Sequence, residues 1–273
     1  MSGWTVNDVN RTLAAAGHDV VAAPAQAYSL DMADRADWSA PGAFWAGVVT
    51  ADSAEYAAAL NEVKDLGRTD STTRTAEQTD IAKFWNDGLG SAFAFGYWNK
   101  IAQQVAADER LSLVKDARVF PLLNIATADA LISCWDAKYT YNLWRPVTAI
   151  RAADTDGNSA TEPEPTWSPL LGTPNFPSYT SAHTTVSWAA AGILTALFGP
   201  DYHFTVGSES LAGVTRSFAS FDAAAAEAGR SRVYGGIHYS FDNTTGLGVG
   251  AKLAGYVAGG FLKPRDDKGD QSQ

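Results

Sequence analysis

Three short stretches of the sequence combine the side chains that bind small anions. Residues 138–146, 176–183 and 231–242 each mix Lys, Arg or His with Ser, Gly or Pro. A tetrahedral oxyanion carries charge on several oxygens and requires donors from several directions. Arginine offers a planar fork, lysine a compact charge, and a helix N-terminus offers free amides. The three stretches together therefore predict one oxyanion site.

The residues of this predicted site divide into hydrogen-bond donors and groups that handle protons. The candidate donors are Lys138, Arg145, Ser181, the Ala182 amide and Arg232. Of His183 and His238, one imidazole can attack or ligate the central atom while the other transfers protons. Asp242 lies four residues beyond His238, about one helical turn away, so its carboxylate can orient that imidazole.

The overall charge of the chain makes this cluster of cations informative. Its 273 residues carry a formal net charge of -10. An acidic chain repels nucleic acid and anionic lipid surfaces, so an anion must meet a local group of cations instead. The sequence therefore predicts no nucleic-acid partner.

Composition and apolar runs predict a globular chain without a membrane span. The lone cysteine, Cys134, excludes an intrachain disulfide and lies in an apolar run typical of core packing. We find no leader with a basic start and no apolar run near the roughly 20 residues that cross a bilayer. We expect a soluble protein, either cytoplasmic or exported with its leader absent from this sequence.

Helix signals dominate the elements that must position these residues. Capping patterns, apolar spacing and Gly or Pro stops predict helices over 52–66, from 75, and over 92–106, 112–135 (with a kink at Pro121), 181–198, 221–229 and 243–262. Residues 152–177 read as a long loop. We therefore predict an all-α helical bundle over 51–263, an irregular N-terminal segment, 1–50, packed on it, and a flexible tail, 264–273.

The spacing of the three stretches resembles the signature of the vanadium-dependent haloperoxidases and type-2 phosphatidic acid phosphatases. That signature is K-x6-R-P, then P-S-G-H, then S-R-x5-H-x3-D. The first and third blocks match fully, whereas the second has Thr180 for Pro and Ala182 for Gly. The wider region, from about residue 53 to 259, looks more like the bacterial haloperoxidases, and the family implies a helical bundle.

The resemblance implies a role for each candidate residue. Vanadate would bind at the site, which phosphate or sulfate can also occupy, with His238 as the axial ligand to vanadium. Side chains of Lys138, Arg145, Arg232 and Ser181 and the Ala182 amide would bind its oxygens, and Lys138 would also act in catalysis by withdrawing charge from the bound peroxide. His183 would act as the acid–base partner, and Asp242 would support His238. Phe176 and Trp135 would line the substrate pocket. Hydrogen peroxide, a halide and a small organic molecule are the implied substrates, and a homo-oligomer is left open.

Three other interpretations stay open from the sequence. The same residues suit a metal-independent acid phosphatase that forms a phosphohistidine at His238. The Thr180 and Ala182 departures suit a family member that no longer halogenates. Each residue taken alone also has an ordinary structural explanation, such as a solvated helix face. The acidic loop at 154–158 lacks a full calcium-binding pattern and reads as a turn.

Overall fold

The computed structural model describes residues 49–88 and 90–263, and helices make up most of this part of the chain. The elements in chain order are α1 (Ala54–Leu66), α2 (Ala76–Phe84), α3 (Phe93–Asp108), α4 (Leu113–Tyr141), α5 (Pro146–Arg151), a 3-10 turn (Ala153–Thr155), α6 (Ala182–Phe198), β1 (Phe204–Gly207), β2 (Thr215–Phe218), α7 (Phe221–Tyr234) and α8 (Ser240–Gly260). The predicted all-α fold is confirmed. Residues 1–48 and 264–273, which hold nearly all of the predicted N-terminal segment and the whole tail, lie outside the described residues.

Capping residues in the sequence correctly predicted where the first two helices begin. The Ser53 hydroxyl accepts from the Tyr56 amide to cap α1. At α2, Thr75 and Gln78 form the reciprocal capping box that the sequence predicted, satisfying two free amides at once. Helix ends of this kind are encoded by three or four neighbouring residues, so the sequence alone reveals them.

Several parts of the predicted element pattern need correction. Helix α5 was not predicted, and α7 continues past its predicted end at residue 229 to Tyr234. Helix α4 runs through Pro121 and continues past the predicted end at Trp135 as far as Tyr141, where Asn142 adopts a left-handed conformation. This extension places Lys138 on a helix and not in a loop. The sequence analysis also missed the short hairpin of β1 and β2, in which Phe204 pairs with Phe218. The hairpin is four residues per strand, too short for a clear alternating pattern.

Helix α6 forms the centre of the bundle and packs against α4, α7 and α8. Small residues bring α6 and α8 close together, because a Cβ at Gly250 would lie 2.5 Å from the Thr185 carbonyl oxygen. At one end of this contact the Ser181 amide donates to the Asp242 carbonyl at 3.3 Å. The start of α6 and the start of α8 are therefore fixed side by side.

One stretch of the described chain, Leu113–Arg151, is long and apolar enough to cross a membrane by length and composition. Half of its apolar window is buried inside the protein. Core helices of globular proteins pass the same test, so the expectation of no membrane span stays a prediction.

The buried carboxyl group of Asp129 on α4 makes stability depend on pH. Both carboxyl oxygens are buried without a hydrogen-bond partner, and burial raises the pKa of Asp129 from 3.8 to about 7. Between these values the folded state holds a proton that the unfolded chain has lost. Raising the pH through this window therefore lowers the free energy of unfolding.

We expect Asp129→Asn to stabilise the fold more at pH 8 than at pH 5, because the amide does not titrate. Calorimetric melting temperatures at the two pH values measure this difference, and each kcal/mol corresponds to about 2–4 °C for a domain of this size. Asp136→Asn, at an exposed position of the same helix, is the matched control. An equal gain at both pH values for Asp129→Asn would contradict the pKa shift.

Candidate anion-binding site

Side chains from all three sequence stretches meet at one cavity of about 560 Å³. Arg145 comes from the N-cap of α5, Arg232 from the last turn of α7, and His238 from the turn between α7 and α8. Ala182 and His183 begin α6. The predicted residues that line this cavity are Arg145, Phe176, Ala182, His183, Arg232 and His238.

The turn that presents His238 depends on glycine. Gly236 has a φ of +78°, and a Cβ there would lie 2.3 Å from the Gly67 carbonyl oxygen. Any side chain would collide with the backbone that follows α1, so this close crossing requires glycine. Arg145 fixes the same turn, because its Nη1 donates to the Ile237 carbonyl at 2.7 Å.

Both buried guanidinium groups are held by backbone carbonyls and still have a free donor. Arg145 Nε donates to the Phe176 carbonyl at 2.8 Å, and Arg232 Nη1 donates to the Trp85 carbonyl. Arg145 Nη2 and Arg232 Nε are buried without a hydrogen-bond partner. A buried donor without a partner costs about 1–3 kcal/mol. Both arginines line one cavity, where an oxyanion would accept hydrogen bonds from these two nitrogens.

The electrostatics of the cavity favour an anion. Burial lowers the pKa of Arg145 and of Arg232 to about 10 each, so both remain protonated at neutral pH. Desolvation and the nearby Arg232 charge also lower the pKa of His183, partly opposed by Asp87. The cavity therefore carries fixed positive charge beside a neutral imidazole.

His238 is held in one tautomer by Asp242. Its Nδ1 lies 2.7 Å from Asp242 Oδ2, which also accepts from the Ser178 hydroxyl at 2.6 Å. Since a carboxylate only accepts, Nδ1 carries the proton and Nε2 keeps its lone pair. Burial, reinforced by Arg145 and Lys138, holds the pKa of His238 well below its usual value. The imidazole is thus neutral and its Nε2, 3.0 Å from Arg145 Nη1, is a ligand or a nucleophile.

Two of the predicted donors lie behind the cavity wall. Lys138 is fully buried, and its Nζ donates to the carbonyls of Pro177, Ser178 and Thr180 at 2.6–2.9 Å. Burial lowers the pKa of Lys138 to about 8. The Ser181 hydroxyl accepts from Thr184 at the start of α6. Direct anion binding by these two side chains stays a prediction; in this conformation they fix the loop that leads into α6.

Ala182, which stands where the motif has glycine, has a backbone conformation that alanine adopts readily. Ala182 is the first residue of α6 and is not among the described residues with positive φ. A helical conformation suits alanine, so the backbone does not require the motif's glycine here. What remains is the methyl group, which lies in the wall of the cavity.

Asp87 belongs to the site and escaped the sequence analysis. Its Oδ2 lies 3.4 Å from His183 Nε2, and the residue is buried with a positive φ of 46°. Left-handed backbone at a residue other than glycine is uncommon and clusters at functional sites. The only signal in the sequence is the turn 86–88 after α2, which does not reveal contact with a histidine 96 positions later.

The two predicted pocket aromatics lie next to each other at the edge of the site. The ring centroids of Trp135 and Phe176 are 4.9 Å apart. Arg145 lies over the Phe176 ring at 4.9 Å. Phe176 lines both the anion cavity and an adjoining apolar groove, and Trp135 lines the groove.

The helical bundle brings two guanidinium groups with unpartnered nitrogens and two imidazoles to one cavity. Residues 118–264, more than half of the chain, match the family model described as the VCPO second helical-bundle domain. The chain belongs to this family of vanadium chloroperoxidase domains, which confirms the resemblance drawn from the three motifs.

Individual relatives agree with this assignment. The chain is 28% identical over 164 residues to vanadium chloroperoxidase of Curvularia inaequalis. The aligned region covers 50% of this chain and 26% of that protein. It is 35% identical to a bacterial vanadium-dependent iodoperoxidase of known structure, with a TM-score of 0.70, over 84% of this chain and 55% of that one. An apo-type bacterial vanadium-dependent chloroperoxidase shares the fold, with a TM-score of 0.62 and 18% sequence identity. The match covers 80% of this chain and 52% of that one. The chain spans about half the length of these solved structures.

Proposed function

We propose that this chain binds vanadate and oxidises a halide with hydrogen peroxide. The main support is the convergence of unpartnered buried donors, Arg145 Nη2 and Arg232 Nε, beside the unprotonated Nε2 of His238, whose one contact is the Arg145 guanidinium at 3.0 Å. Membership of the vanadium chloroperoxidase family makes vanadate the first candidate among tetrahedral oxyanions. The reaction would convert peroxide, halide and one proton into hypohalous acid and water.

The donor set fits vanadate on chemical grounds. An oxyanion needs charge-assisted hydrogen bonds from several directions, which the two guanidinium groups and the start of α6 supply. A neutral imidazole with a free Nε2 is a common metal ligand, and here His238 would fill that role. When bound, vanadate would supply a Lewis acid that polarises peroxide for attack by halide.

The protein's own residues would bind the anion and move protons. Arg145 and Arg232 would neutralise charge on the oxygens, and Asp242 would keep the His238 tautomer fixed. His183 is neutral and lines the cavity, and its Nε2 lies 3.4 Å from Asp87 Oδ2. His183 would accept a proton at Nε2 as peroxide binds, and Asp87 would stabilise the resulting imidazolium.

A vanadate titration tests this function. Folded protein is mixed with increasing vanadate, and the peroxide-dependent halogenation of monochlorodimedone is followed with chloride, bromide and iodide in turn. Vanadate should also raise the melting temperature, because a ligand of the folded state stabilises it. Vanadate binding without oxidation of any of the three halides would exclude the haloperoxidase function.

A metal-independent phosphatase is the second candidate, favoured by the Asp242-bound His238. The same Nε2 lone pair suits attack on phosphorus, and His183 would protonate the leaving group. This function predicts hydrolysis of p-nitrophenyl phosphate without metal and inhibition by vanadate. Halide oxidation in the absence of such hydrolysis would decide for the first candidate.

The methyl group of Ala182 provides a graded test of anion binding. We expect Ala182→Gly to raise vanadate affinity, about three- to tenfold, because it removes a methyl group from the cavity wall. The cost in helix stability should stay below about 1 kcal/mol at this first helical position. Equilibrium dialysis with vanadate measures the affinity. Ala225→Gly, in the buried part of α7, is the control for a glycine placed elsewhere.

A halogenating activity that appears only in Ala182→Gly, or in the double variant with Thr180→Pro, would identify the native chain as a member that has lost halogenation. High native activity would exclude that interpretation. Unchanged vanadate affinity in Ala182→Gly would show that the methyl group does not contact the anion.

A further inference from the structure

The chain segment that leaves α2, residues 84–87, supplies two groups to the anion cavity. The Trp85 carbonyl accepts from Arg232 Nη1, and the Asp87 carboxylate lies 3.4 Å from His183 Nε2. Asp87 lies beyond the end of α2 at Phe84. A displacement of this segment would therefore move the support of Arg232 and the partner of His183 together.

The residues that follow β1 bind this segment on both sides of Trp85. The Ser208 hydroxyl donates to the Phe84 carbonyl at 2.5 Å, and the Ser210 hydroxyl accepts from the Asp87 amide at 3.1 Å. The hairpin thus holds the backbone directly before Trp85 and at Asp87 itself.

The same hairpin loop is anchored on α3, so it is a fixed support. The Tyr97 hydroxyl donates to the Gly207 carbonyl at 2.7 Å. The Ala92 amide, at the N-cap of α3, donates to Glu209 Oε2 at 2.7 Å, and Glu209 also pairs with Lys100. Because residues 207–210 all bond to residues 84–100, the loop cannot shift without breaking several of these contacts.

Strand β2 reaches segment 84–87 through a side-chain network. Arg216 donates through Nε and Nη2 to the two carboxylate oxygens of Glu227, at 2.6 and 2.8 Å. Glu227 Oε1 also accepts from the Trp85 indole at 2.9 Å. A bidentate pair of guanidinium and carboxylate has a defined geometry. It therefore fixes the indole of the residue whose carbonyl binds Arg232.

The backbone of Asp87 requires such support. Its φ is 46°, and the residue is 5% exposed. A left-handed conformation at a residue other than glycine persists only where the surrounding structure holds it. The Ser210 hydroxyl binds the amide of this residue, so it stabilises the conformation that brings the carboxylate to His183.

We propose that Ser210 is a positioning residue of the anion site, whose hydroxyl holds Asp87 against His183, and that the β1–β2 hairpin is its support. The proposal rests on the proposed function, in which Asp87 stabilises the His183 imidazolium. Precise placement of such a partner matters, because small displacements of catalytic groups cost large factors in rate. Without the Ser210 hydroxyl the carboxylate would move away from the ring.

Nitrogen NMR of the histidine-labelled full chain, without vanadate and at one pH, tests the positioning without any catalysis. Asp87→Asn should move the ring nitrogen shifts of His183, because it removes the charge beside the ring. Ser210→Ala should move the same shifts part of the way, whereas Ser210→Thr, which keeps the hydroxyl, should restore most of the native values.

Ser217→Ala is the matched control, since it removes a hydroxyl of the same hairpin that pairs across the strands with Thr205 at 2.7 Å. Its His183 shifts should equal those of the native chain. Unchanged His183 shifts in Ser210→Ala, or an equal change in Ser217→Ala, would overturn the proposal.

A double-mutant cycle separates positioning from general damage. Ser210→Ala should lower vanadate-dependent halide oxidation about three- to tenfold in the native background, the range expected for one hydrogen bond. In the Asp87→Asn background the further loss should stay below about twofold, because Ser210 acts through Asp87. An equal loss in both backgrounds would mean that Ser210 acts independently of Asp87, and the proposal would fail.

Failure of this proposal and failure of the proposed function give different results. A chain that oxidises no halide but shows the His183 shift in Ser210→Ala would keep the positioning role and reject the haloperoxidase function. A chain that oxidises halide while Ser210→Ala leaves the His183 shifts unchanged would keep the function and reject the positioning role.

Discussion

Asp242→Asn is expected to lower vanadate-dependent halide oxidation by about 10³–10⁴-fold while the protein stays folded. An amide can donate to His238 Nδ1, which moves the ring proton to Nε2. The lone pair that would bind vanadium is then lost. The magnitude follows the known effect of changing Asp to Asn beside a catalytic histidine in serine proteases. Steady-state bromination at saturating peroxide measures the activity.

The tautomer of His238 is the readout that separates this mechanism from general damage. Nitrogen NMR of histidine-labelled protein should show Nδ1 protonated in the native chain and Nε2 protonated in Asp242→Asn. Asp129→Asn is the matched control, because Asp129 is also fully buried but does not line either cavity. The explanation fails if Asp242→Asn keeps the native tautomer and still loses activity.

Ser178→Ala should have a smaller effect on the same site. It removes one of the donors to Asp242 Oδ2 but leaves the His238 contact and the Tyr239 amide in place. Burial raises the pKa of Asp242 to about 6, and the Ser178 hydrogen bond opposes this rise. Asp242 therefore acts on His238 mainly through its direct hydrogen bond, with Ser178 as a secondary support.

The local sequence predicted the parts of the fold that short-range signals encode. Thr75 and Gln78 cap α2 as predicted, and Ser181 caps α6, because each such contact spans only three residues. The end of α4 could not be placed, since Asn142 stops the helix through its own conformation and not through a Gly or Pro. Lys138 lies in this last part of α4, and its ammonium group binds three carbonyls of the loop before α6.

The candidate site was predictable as a set of residues but not as an arrangement. Three stretches with a family spacing identified Arg145, Arg232 and His238 as neighbours. Whether a given side chain points into the cavity depends on partners far along the chain, as for Asp87 beside His183.

Lys138→Met is expected to destabilise the fold by about 2–4 kcal/mol. The ammonium group binds three carbonyls in the interior, and each loses its charged donor in the variant. Relief of the cost of burying the charge offsets part of this loss, as the lowered pKa of Lys138 indicates. Urea denaturation, followed by circular dichroism, measures the free energy of unfolding.

Lys64→Met is the matched control, since Lys64 Nζ donates to one exposed carbonyl, that of Glu162, at 2.7 Å. Its loss should cost about 0.5 kcal/mol or less. The comparison also decides between two roles for Lys138. If Lys138→Met were as stable as the native chain and lost only vanadate affinity, its ammonium group would bind the anion directly, as the family resemblance implies. A large loss of stability together with weaker vanadate binding would instead show that Lys138 acts through the loop at 176–181, which it holds against the start of α6.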